Sequence, residues 1–381
     1  MSARQSFRID GEFALYRGGK LRDPVVAYET WGRLDRSREN AVLVFPGMSP
    51  SAHAAASPAD PAPGWWEGMI GPGLPLDTSR YFVICVNSLG SCFGSTGPAS
   101  TDPETGRPYA TTFPVLSLED VANAAWALVS ALGIRQLDTV VGPSMGGMSA
   151  LALVLQHPGA SRRLVSISSA MRAEPLAIGL RSLQREMVRR DPEWRSGRYE
   201  PGRGPLRGMR LARKLGMITY RSAEEWRQRF GRERVSGERA TGDPFGIDFE
   251  VEAYLEAHAR KFIGEFDANA YLYLSRAMDL FDVADHGGSV AAAMARTGLE
   301  RALVIGVETD LLFPLHQQRE LAEALEAGGC EVEFHALPCL QGHDAFLVDM
   351  DRMRPPMATF LDARGRTAAR LRRIHPPARG A

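Results

Sequence analysis

The sequence lacks several features that would assign it to other classes of protein. Its 45 lysines and arginines are balanced by 45 aspartates and glutamates, so no global field would attract nucleic acid or an anionic membrane. Only three of the basic residues are lysines, which we interpret as a coding bias. The four cysteines show no C-x-x-C spacing, so neither a zinc site nor a disulfide framework is indicated. We therefore expect no metal ion and no nucleic-acid partner.

Targeting and membrane signals are also missing from the sequence. No apolar run approaches the length of a membrane span. Residues 1–20 carry charges and have no apolar core, which argues against a signal peptide. We expect a cytoplasmic protein in a reducing compartment, with no membrane partner.

Two kinds of sequence pattern, strand-like and helical, alternate along the chain. Apolar runs typical of buried strands, separated by helical patterns and Gly/Pro-rich loops, occur in residues 1–170 and again in 297–363. The predicted strands are 25–28, 41–45, 81–86, 137–141, 164–168, 301–307 and 332–337. Strands alternating with helices predict an α/β fold, with a mostly parallel sheet covered by helices on both faces.

Between these two blocks the strand signals vanish. Residues 171–296 contain long charged helical stretches, of which the clearest are 180–191, 223–230 and 248–263. Because the chain then returns to strand-like sequence, we interpret this segment as an all-helical cap inserted into a two-part core. An independent interaction domain is the alternative. Residues 364–381 form a basic C-terminal tail, to which we assign no function.

The clearest chemical signal is GPSMGG at residues 142–147. It follows a strand-like run and precedes a helical run at 148–155, which is the context of a G-x-S-x-G nucleophile elbow. The glycines allow strand and helix to approach around a strained serine, Ser144. A small-residue turn with an idle serine is the alternative. The sequence therefore predicts a nucleophile at Ser144.

An elbow serine needs a base and an orienting acid, which follow it along the chain in the order Ser, Asp/Glu, His. Asp310 stands just beyond the predicted strand 301–307, with Glu308 as the weaker candidate. His343 lies in a glycine-marked loop that opens a helix, whereas His335 alternates with apolar neighbours inside a predicted strand. We therefore predict Ser144, Asp310 and His343 as the catalytic residues.

These residues suit nucleophilic catalysis of acyl transfer. An imidazole can take the serine proton in the transition state and return it to the leaving group, while the carboxylate fixes its tautomer. The developing oxyanion needs two donors. The backbone N–H of Met145, directly after the nucleophile, is one candidate, and that of Met48, in the loop after strand 41–45, is the other.

Several further motifs together resemble the homoserine O-acetyltransferase family of the α/β-hydrolase fold. They are GWWE at 64–67, IGPG at 70–73, GSTGP at 94–98, GPSMGG at 142–147, ITYRS at 218–222 and YLYLSRAMD at 271–279. The sequence looks closest to the serine O-succinyltransferase branch, through GMSPSAH at 47–53, NSLGSC at 87–92 and SLQRE at 182–186. Phe93 departs from the family, in which that position is usually basic.

The resemblance implies an α/β-hydrolase fold and a ping-pong transfer from an acyl-CoA, which is a substrate, so no cofactor is expected. It implies that Arg185 holds the carboxylate of an amino-acid acceptor and that Asp344 holds its ammonium group. It also implies that Glu186 influences the choice of donor. The loop that would measure the acceptor side chain consists of Gly47, Met48, Ser49 and Pro50. From the residues alone, Arg185 could instead pair with Glu186 or Asp191, and Asp344 could be a helix N-terminal acid.

The resemblance favours succinyl-CoA and L-serine as substrates, in cysteine biosynthesis, and a homodimer formed through the cap. A succinyl group adds a second carboxylate, and the sequence does not choose among four cations that could bind it. They are Arg172, Arg181, Arg221 and Arg276. Alternatives remain: an acetyl-CoA-dependent homoserine O-acetyltransferase of methionine biosynthesis, a serine hydrolase, and a non-catalytic binding protein on the same fold.

Overall fold

The computed structural model describes residues 3–200, 202–236 and 243–362. The predicted basic tail lies outside the described residues. The strands are β1 (Gln5–Arg8), β2 (Glu12–Ala14), β3 (Lys20–Arg22), β4 (Val25–Trp31), β5 (Ala41–Val44), β6 (Ile70–Gly71), β7 (Leu76–Asp77), β8 (Phe82–Val86), β9 (Leu137–Pro143), β10 (Ser161–Ile167), β11 (Arg301–Val307) and β12 (Glu331–Leu337). The α-helices are α1 (Leu118–Ala131), α2 (Met145–Gln156), α3 (Pro175–Arg190), α4 (Leu206–Tyr220), α5 (Ala223–Phe230), α6 (Glu250–Phe262), α7 (Ala268–Leu280), α8 (Val290–Met294), α9 (Leu315–Ala327), α10 (Ala345–Val348) and α11 (Met350–Asp362).

One large sheet organises the core. Its eight strands lie in the order β1-β4-β8-β5-β9-β10-β11-β12. The pairs β1–β4 and β4–β8 are antiparallel, and every pair from β8 to β12 is parallel. Two small pairs, β2–β3 and β6–β7, lie outside it. The predicted α/β fold with a mostly parallel sheet is confirmed.

Successive side chains of the central strands pack against helices on opposite faces of the sheet. In β5, Leu43 belongs to an apolar cluster with α1 and α2, while Val42 and Val44 belong to a second cluster that includes α11. All four residues of β5 are fully buried. Successive side chains of a strand point to opposite faces, so a continuous apolar run is what a doubly covered strand requires.

The sequence located these strands more reliably than it located their ends. The prediction for β11 matches its bounds, whereas β10 begins three residues before the predicted 164 and β4 extends past the predicted 28 to Trp31. Helix α3 begins at Pro175, five residues before the predicted 180, because a proline suits the first helical turn. β1 was not predicted, since it has only four residues and three are exposed.

A helical segment joins β10 to β11. Within its described part, 171–200, 202–236 and 243–296, there is no strand, and helices α3 to α8 follow one another. The end of α4 packs on the loop that carries His343, because the Ser222 hydroxyl donates a 2.5 Å hydrogen bond to the Leu340 carbonyl. The last part of the segment returns to its beginning, where the N–H of Val283 donates to the Met171 carbonyl. The segment approaches His343 through Tyr220, at the end of α4.

Candidate active site

Ser144 stands at a sharp turn between β9 and α2. Its φ of 56° and ψ of −126° are unusual for a residue with a side chain, and such strain is a feature of nucleophile elbows. Glycines on either side allow the turn: a Cβ at Gly142 would overlap the Gly146 backbone, and a Cβ at Gly146 would overlap the Phe45 carbonyl. The tight packing of β5, β9 and α2 thus fixes the direction of the Ser144 side chain.

A continuous hydrogen-bond chain links the three predicted catalytic side chains. His343 Nε2 lies 2.8 Å from Ser144 Oγ, and His343 Nδ1 lies 2.8 Å from Asp310 Oδ2. All three residues are buried, and Ser144 is the most exposed of them at 8%. The structure therefore brings together a hydroxyl, an imidazole and a carboxylate that are separated by up to 199 positions in sequence.

Asp310 is held firmly in the loop that follows β11. Its Oδ1 accepts hydrogen bonds from the N–H groups of Leu312 (2.9 Å) and Phe313 (3.0 Å), which leaves Oδ2 for the imidazole. Glu308, the weaker sequence candidate, is exposed, and His335 lies inside β12. The geometry therefore favours Asp310 and His343 over the two alternatives.

The surroundings of His343 tune its basicity. The Phe313 ring stacks on the imidazole at 5.2 Å, and the rings of Phe346 and Tyr220 lie 5.6 Å and 6.1 Å away. Burial lowers the pKa of His343, but the charge and hydrogen bond of Asp310 outweigh it, so the pKa is raised above its usual value. This imidazole is a stronger base than a free one.

The predicted oxyanion donors lie on two adjacent segments. Met145 is the first residue of α2, where the helix supplies no acceptor for its N–H and the helix dipole favours negative charge. Met48 lies in the loop after β5, and the beginning of that loop touches the elbow where the Phe45 carbonyl faces Gly146. The roles of Met48 and Met145 stay predictions.

The residues that directly follow the predicted acceptor loop are held in place by hydrogen bonds. The Asn87 side chain accepts a 2.6 Å hydrogen bond from the N–H of Ala52, and the Trp65 indole donates to the Ser51 carbonyl. His53 Nδ1 lies 2.9 Å from a buried carboxylate oxygen of Glu29. Within the loop, Gly47 is buried and Met48, Ser49 and Pro50 are half-buried. Such a loop can act as a rigid wall for a small substrate.

Arg185 is half-buried in an ion cluster and forms neither of the surface pairs that the sequence allowed. Its Nη2 lies 2.7 Å from Asp279 Oδ2, and its Nη1 donates a 2.9 Å hydrogen bond to Ser275 Oγ. Arg181 donates from Nε to the other oxygen of Asp279 at 2.6 Å. Glu186 is exposed and pairs with Arg190, four residues away on the same helix. The predicted roles of Arg185 and Glu186 stay predictions.

Asp344 follows His343 directly and is bound to the helical segment. Its Oδ2 accepts a 3.0 Å hydrogen bond from Arg221 Nε, while Arg221 Nη1 contacts Glu225 at 2.5 Å. Burial raises the pKa of Asp344, and the positive charge of Arg221 acts in the opposite direction. Asp344 thus already has Arg221 as a partner, and its role in binding an ammonium group stays a prediction.

Arg213 is a site residue that the sequence analysis missed. Its guanidinium lies 4.6 Å from the Phe262 ring and 5.7 Å from the Tyr220 ring, which itself lies against His343. Its Nε is buried without a hydrogen-bond partner, and no described carboxylate forms an ion pair with it. The signal was its spacing, because Arg213 is four residues from both Met209 and Met217 on the buried face of α4.

The other positions noted in the sequence form no hydrogen bond with Ser144, His343 or Asp310 among the described residues. Arg172 pairs with Glu320 near the surface, and Arg276 is exposed. Phe93, where relatives are usually basic, packs edge-on against Phe266 at 5.6 Å. Among the described residues, no group of three or more His, Cys, Asp or Glu side chains could hold a metal ion. No helix in the described part of the chain has the length and apolarity to cross a membrane.

Comparisons with known proteins identify the family to which this chain belongs. The family model described as alpha/beta hydrolase fold matches residues 40–348. A serine O-succinyltransferase of Litchfieldella anticariensis is 58% identical over 360 residues, which cover 94% of this chain and 98% of the relative. An L-serine/homoserine O-acetyltransferase of Streptomyces lavendulae is also 58% identical, over 94% of this chain and 97% of its own length.

Solved structures show the same architecture. A homoserine O-acetyltransferase from Bacillus anthracis superimposes with a TM-score of 0.87 at 28% identity, over 94% of this chain and 97% of its own. The esterase E22 superimposes with a TM-score of 0.85 at 28% identity, over 94% of this chain and 99% of its own. The protein therefore belongs to the α/β-hydrolase family and, within it, to the serine O-succinyltransferase branch of the homoserine O-acetyltransferases.

Proposed function

We propose that the protein transfers a succinyl group from succinyl-CoA to the hydroxyl of L-serine through an acyl-enzyme on Ser144. The observation that carries the proposal is the buried hydrogen-bond chain from Ser144 through His343 to Asp310 at the elbow. The 58% identity to a serine O-succinyltransferase over nearly the whole chain supports the choice of substrates.

In the first half-reaction, His343 Nε2 takes the proton of Ser144 as Oγ attacks the thioester carbon. The C–S bond then breaks, and His343 returns the proton to the departing thiolate. The N–H groups of Met145 and Met48 stabilise the oxyanion, and losing one such donor costs about 3 kcal/mol of transition-state stabilisation. Asp310 holds the imidazole in the required tautomer.

In the second half-reaction, the serine hydroxyl attacks the acyl carbon and gives its proton to His343. The bond between the acyl carbon and Ser144 Oγ breaks, and Oγ recovers that proton from His343. O-succinylserine leaves and the enzyme returns to its starting state. Because the CoA thiol leaves before serine attacks the acyl-enzyme, the reaction is ping-pong.

The acceptor needs one cation and one anion beside His343. Asp344 is the anion for the ammonium group, as the resemblance implies. For the α-carboxylate, Arg185 was expected, but Asp279 and Ser275 already occupy its guanidinium. Arg213 has no described carboxylate partner and lies over the Tyr220 ring, so we propose it as the second candidate.

Acyl transfer, rather than hydrolysis, is favoured by the helical segment. It packs on the His343 loop through Tyr220, Arg221 and Ser222, so the predicted cap restricts water at the site. The similarity to esterase E22 keeps hydrolysis as the second candidate function. Measuring free succinate against O-succinylserine separates the two.

The deciding experiment is a two-by-two assay of succinyl-CoA and acetyl-CoA against serine and homoserine. We expect the highest kcat/KM with succinyl-CoA and serine, and no thiol release by a Ser144→Ala variant. A preference for acetyl-CoA would instead favour the activity for which the Streptomyces lavendulae relative is named. A preference for homoserine would reject serine as the acceptor.

We also propose a cytoplasmic homodimer that serves cysteine biosynthesis. Besides Leu206, two pairs of large apolar side chains are exposed on the adjacent helices α3 and α4, and the members of each pair are seven residues apart on their helix. They are Leu176, Leu183, Leu211 and Ile218. Two helices with matching apolar stripes suit association with a second copy. All four cysteines are free thiols, in keeping with a reducing compartment.

A further inference from the structure

The cluster around Asp279 contains more positive than negative charge. Arg181 and Arg185 both contact this one carboxylate, at 2.6 Å and 2.7 Å. The side chains of Arg181 and Asp279 are 8% and 2% exposed, and that of Arg185 is 13% exposed. Two guanidinium groups and one carboxylate leave a net charge of about +1 in a buried place, which is costly unless an anion completes it.

The unsatisfied donor of this cluster belongs to Arg181. Its Nε is bound to Asp279, but its Nη2 is buried and has no hydrogen-bond partner among the described residues. Arg185, by contrast, has Ser275 as an additional partner. A buried donor without a partner calls for explanation, and a carboxylate is the acceptor that a guanidinium fits best.

The position of Arg181 ties it to the candidate active site. Helix α3, which carries it, packs on α4 through a 3.0 Å hydrogen bond from Gln184 to the Ala212 carbonyl. The end of α4 places the Tyr220 ring against His343. Burial and the nearby charge of Arg181 both lower the pKa of His343, against the larger effect of Asp310. The cluster therefore lies within electrostatic reach of the acyl site.

We propose that Arg181, held in place by Asp279, binds the distal carboxylate of the succinyl group and so determines the choice of acyl donor. The inference rests on the proposed function and names the group that recognises its donor. An acetyl group would leave the surplus charge unpaired, and sites built to pair a polar group discriminate strongly against substrates that lack it.

The other arginines that the sequence left open fit this role less well. Arg172 is half-exposed and pairs with Glu320, and Arg276 is exposed. Arg221 already contacts two carboxylates. Of the four, Arg181 alone has a side chain that is more than nine-tenths buried within the described structure and a donor without a partner.

The test isolates the first half-reaction, measured as thiol release without acceptor. Two donors are compared: succinyl-CoA, and butyryl-CoA, which carries a methyl group in place of the distal carboxylate. For Arg181→Lys and Arg181→Gln we expect kcat/KM with succinyl-CoA to fall by about 10- to 100-fold, with butyryl-CoA changing by less than about threefold. Arg189→Lys, an exposed arginine on the same helix whose guanidinium lies over the Trp194 ring, is the control and should leave both values unchanged.

Equal losses with both donors would overturn the assignment, since a merely structural role affects them alike. If both variants fail to fold, the wild-type protein still tests the proposal, because comparable kcat/KM values for succinyl-CoA and butyryl-CoA would contradict it. Failure of the proposed function looks different: the wild-type protein would then release no thiol with succinyl-CoA, or would form free succinate in place of O-succinylserine when serine is present.

Discussion

At the scale of single residues, the site depends on how each side chain is held. Asp310 uses one oxygen to accept two backbone N–H groups, and this leaves the other for His343. The imidazole then reaches Ser144 at 2.8 Å, with aromatic rings on its other sides. A carboxylate fixed in this way orients the base and strengthens it.

The pH dependence of the rate should report the Asp310 contact. His343 must be neutral to accept a proton, and its pKa is raised, so activity should fall as the pH drops through that raised value. In Asp310→Asn the lowering effect of burial is no longer opposed by the Asp310 charge, so the acid limb of kcat/KM should move to lower pH. The rate itself should fall by about 10⁴-fold.

The control for this profile is Glu308→Gln, which removes the exposed acid two residues earlier. Its acid limb should coincide with that of the wild-type protein. An unchanged limb in Asp310→Asn would show that the Asp310 carboxylate does not set the basicity of His343.

Arg213 should act on the acceptor alone. Arg213→Lys keeps the charge but loses the fork that matches a carboxylate, so KM for serine should rise by about tenfold or more. Thiol release without acceptor should be unchanged. Arg207→Lys, exposed on the same helix, is the control. If Arg185→Lys raises KM for serine and Arg213→Lys does not, then Arg185 binds the α-carboxylate of the acceptor.

The sequence was sufficient to select Ser144, Asp310 and His343, which the structure brings together, but not to predict the ionic contacts around them. The elbow, the strand end before Asp310 and the glycine before His343 are local signals. Asp279 is 98 residues from Arg181, so no local pattern shows that it holds Arg181 and Arg185. Arg213 was missed for a related reason, because its meaning depends on which face of α4 is buried.

At the scale of elements, the elbow depends on close approach of β5, β9 and α2. A Cβ at Gly146 would overlap the backbone oxygen of Phe45, which cannot move without shifting β5. Gly146→Ala should therefore destabilise the protein by about 2 kcal/mol or more, as overpacking against backbone does. Urea denaturation measures this change as a shift of the midpoint.

Gly179 provides the matched control for that substitution. It is exposed within α3, and a Cβ there would meet no atom within 4 Å. Because alanine is the better helix former, Gly179→Ala should stabilise the protein by about 0.5–1 kcal/mol. A tolerated Gly146→Ala would mean that the elbow is not packed as described.

Element predictions succeeded where burial is continuous and failed where it is not. Strands such as β5 and β11 are covered on both faces, so their apolar runs are long and easy to find. The edge strand β1 is mostly exposed and gives no such run. The start of α3 was placed too late because Leu176 and Gly179, in its first turns, are exposed and weaken the helical pattern.

At the scale of the whole molecule, the exposed leucines of α3 and α4 should bury against a second copy. Leu183→Glu places a charge in that apolar stripe, so a dimeric wild-type protein should become monomeric in sedimentation velocity. Val115→Glu, at an exposed apolar position outside the stripe, should not change the assembly. A monomeric wild-type protein would reject the dimer.

The α/β core and the helical segment also divide the work of the proposed reaction. The core supplies Ser144, His343 and Asp310, which perform the same proton transfers in any acyl transfer of this kind. The helical segment supplies Arg181 and Arg213, which we propose to recognise the acyl donor and the acceptor, and Arg185, the predicted alternative for the acceptor. Changes in the segment should therefore alter specificity while the covalent chemistry persists.

The most direct test is the mass of the intact protein after mixing with succinyl-CoA in the absence of serine, followed by peptide mapping. We predict one succinyl group on the peptide that contains Ser144, and its loss with formation of O-succinylserine when serine is added. Formation of O-succinylserine without any adduct on Ser144, or an adduct that serine does not discharge, would contradict the acyl-enzyme mechanism.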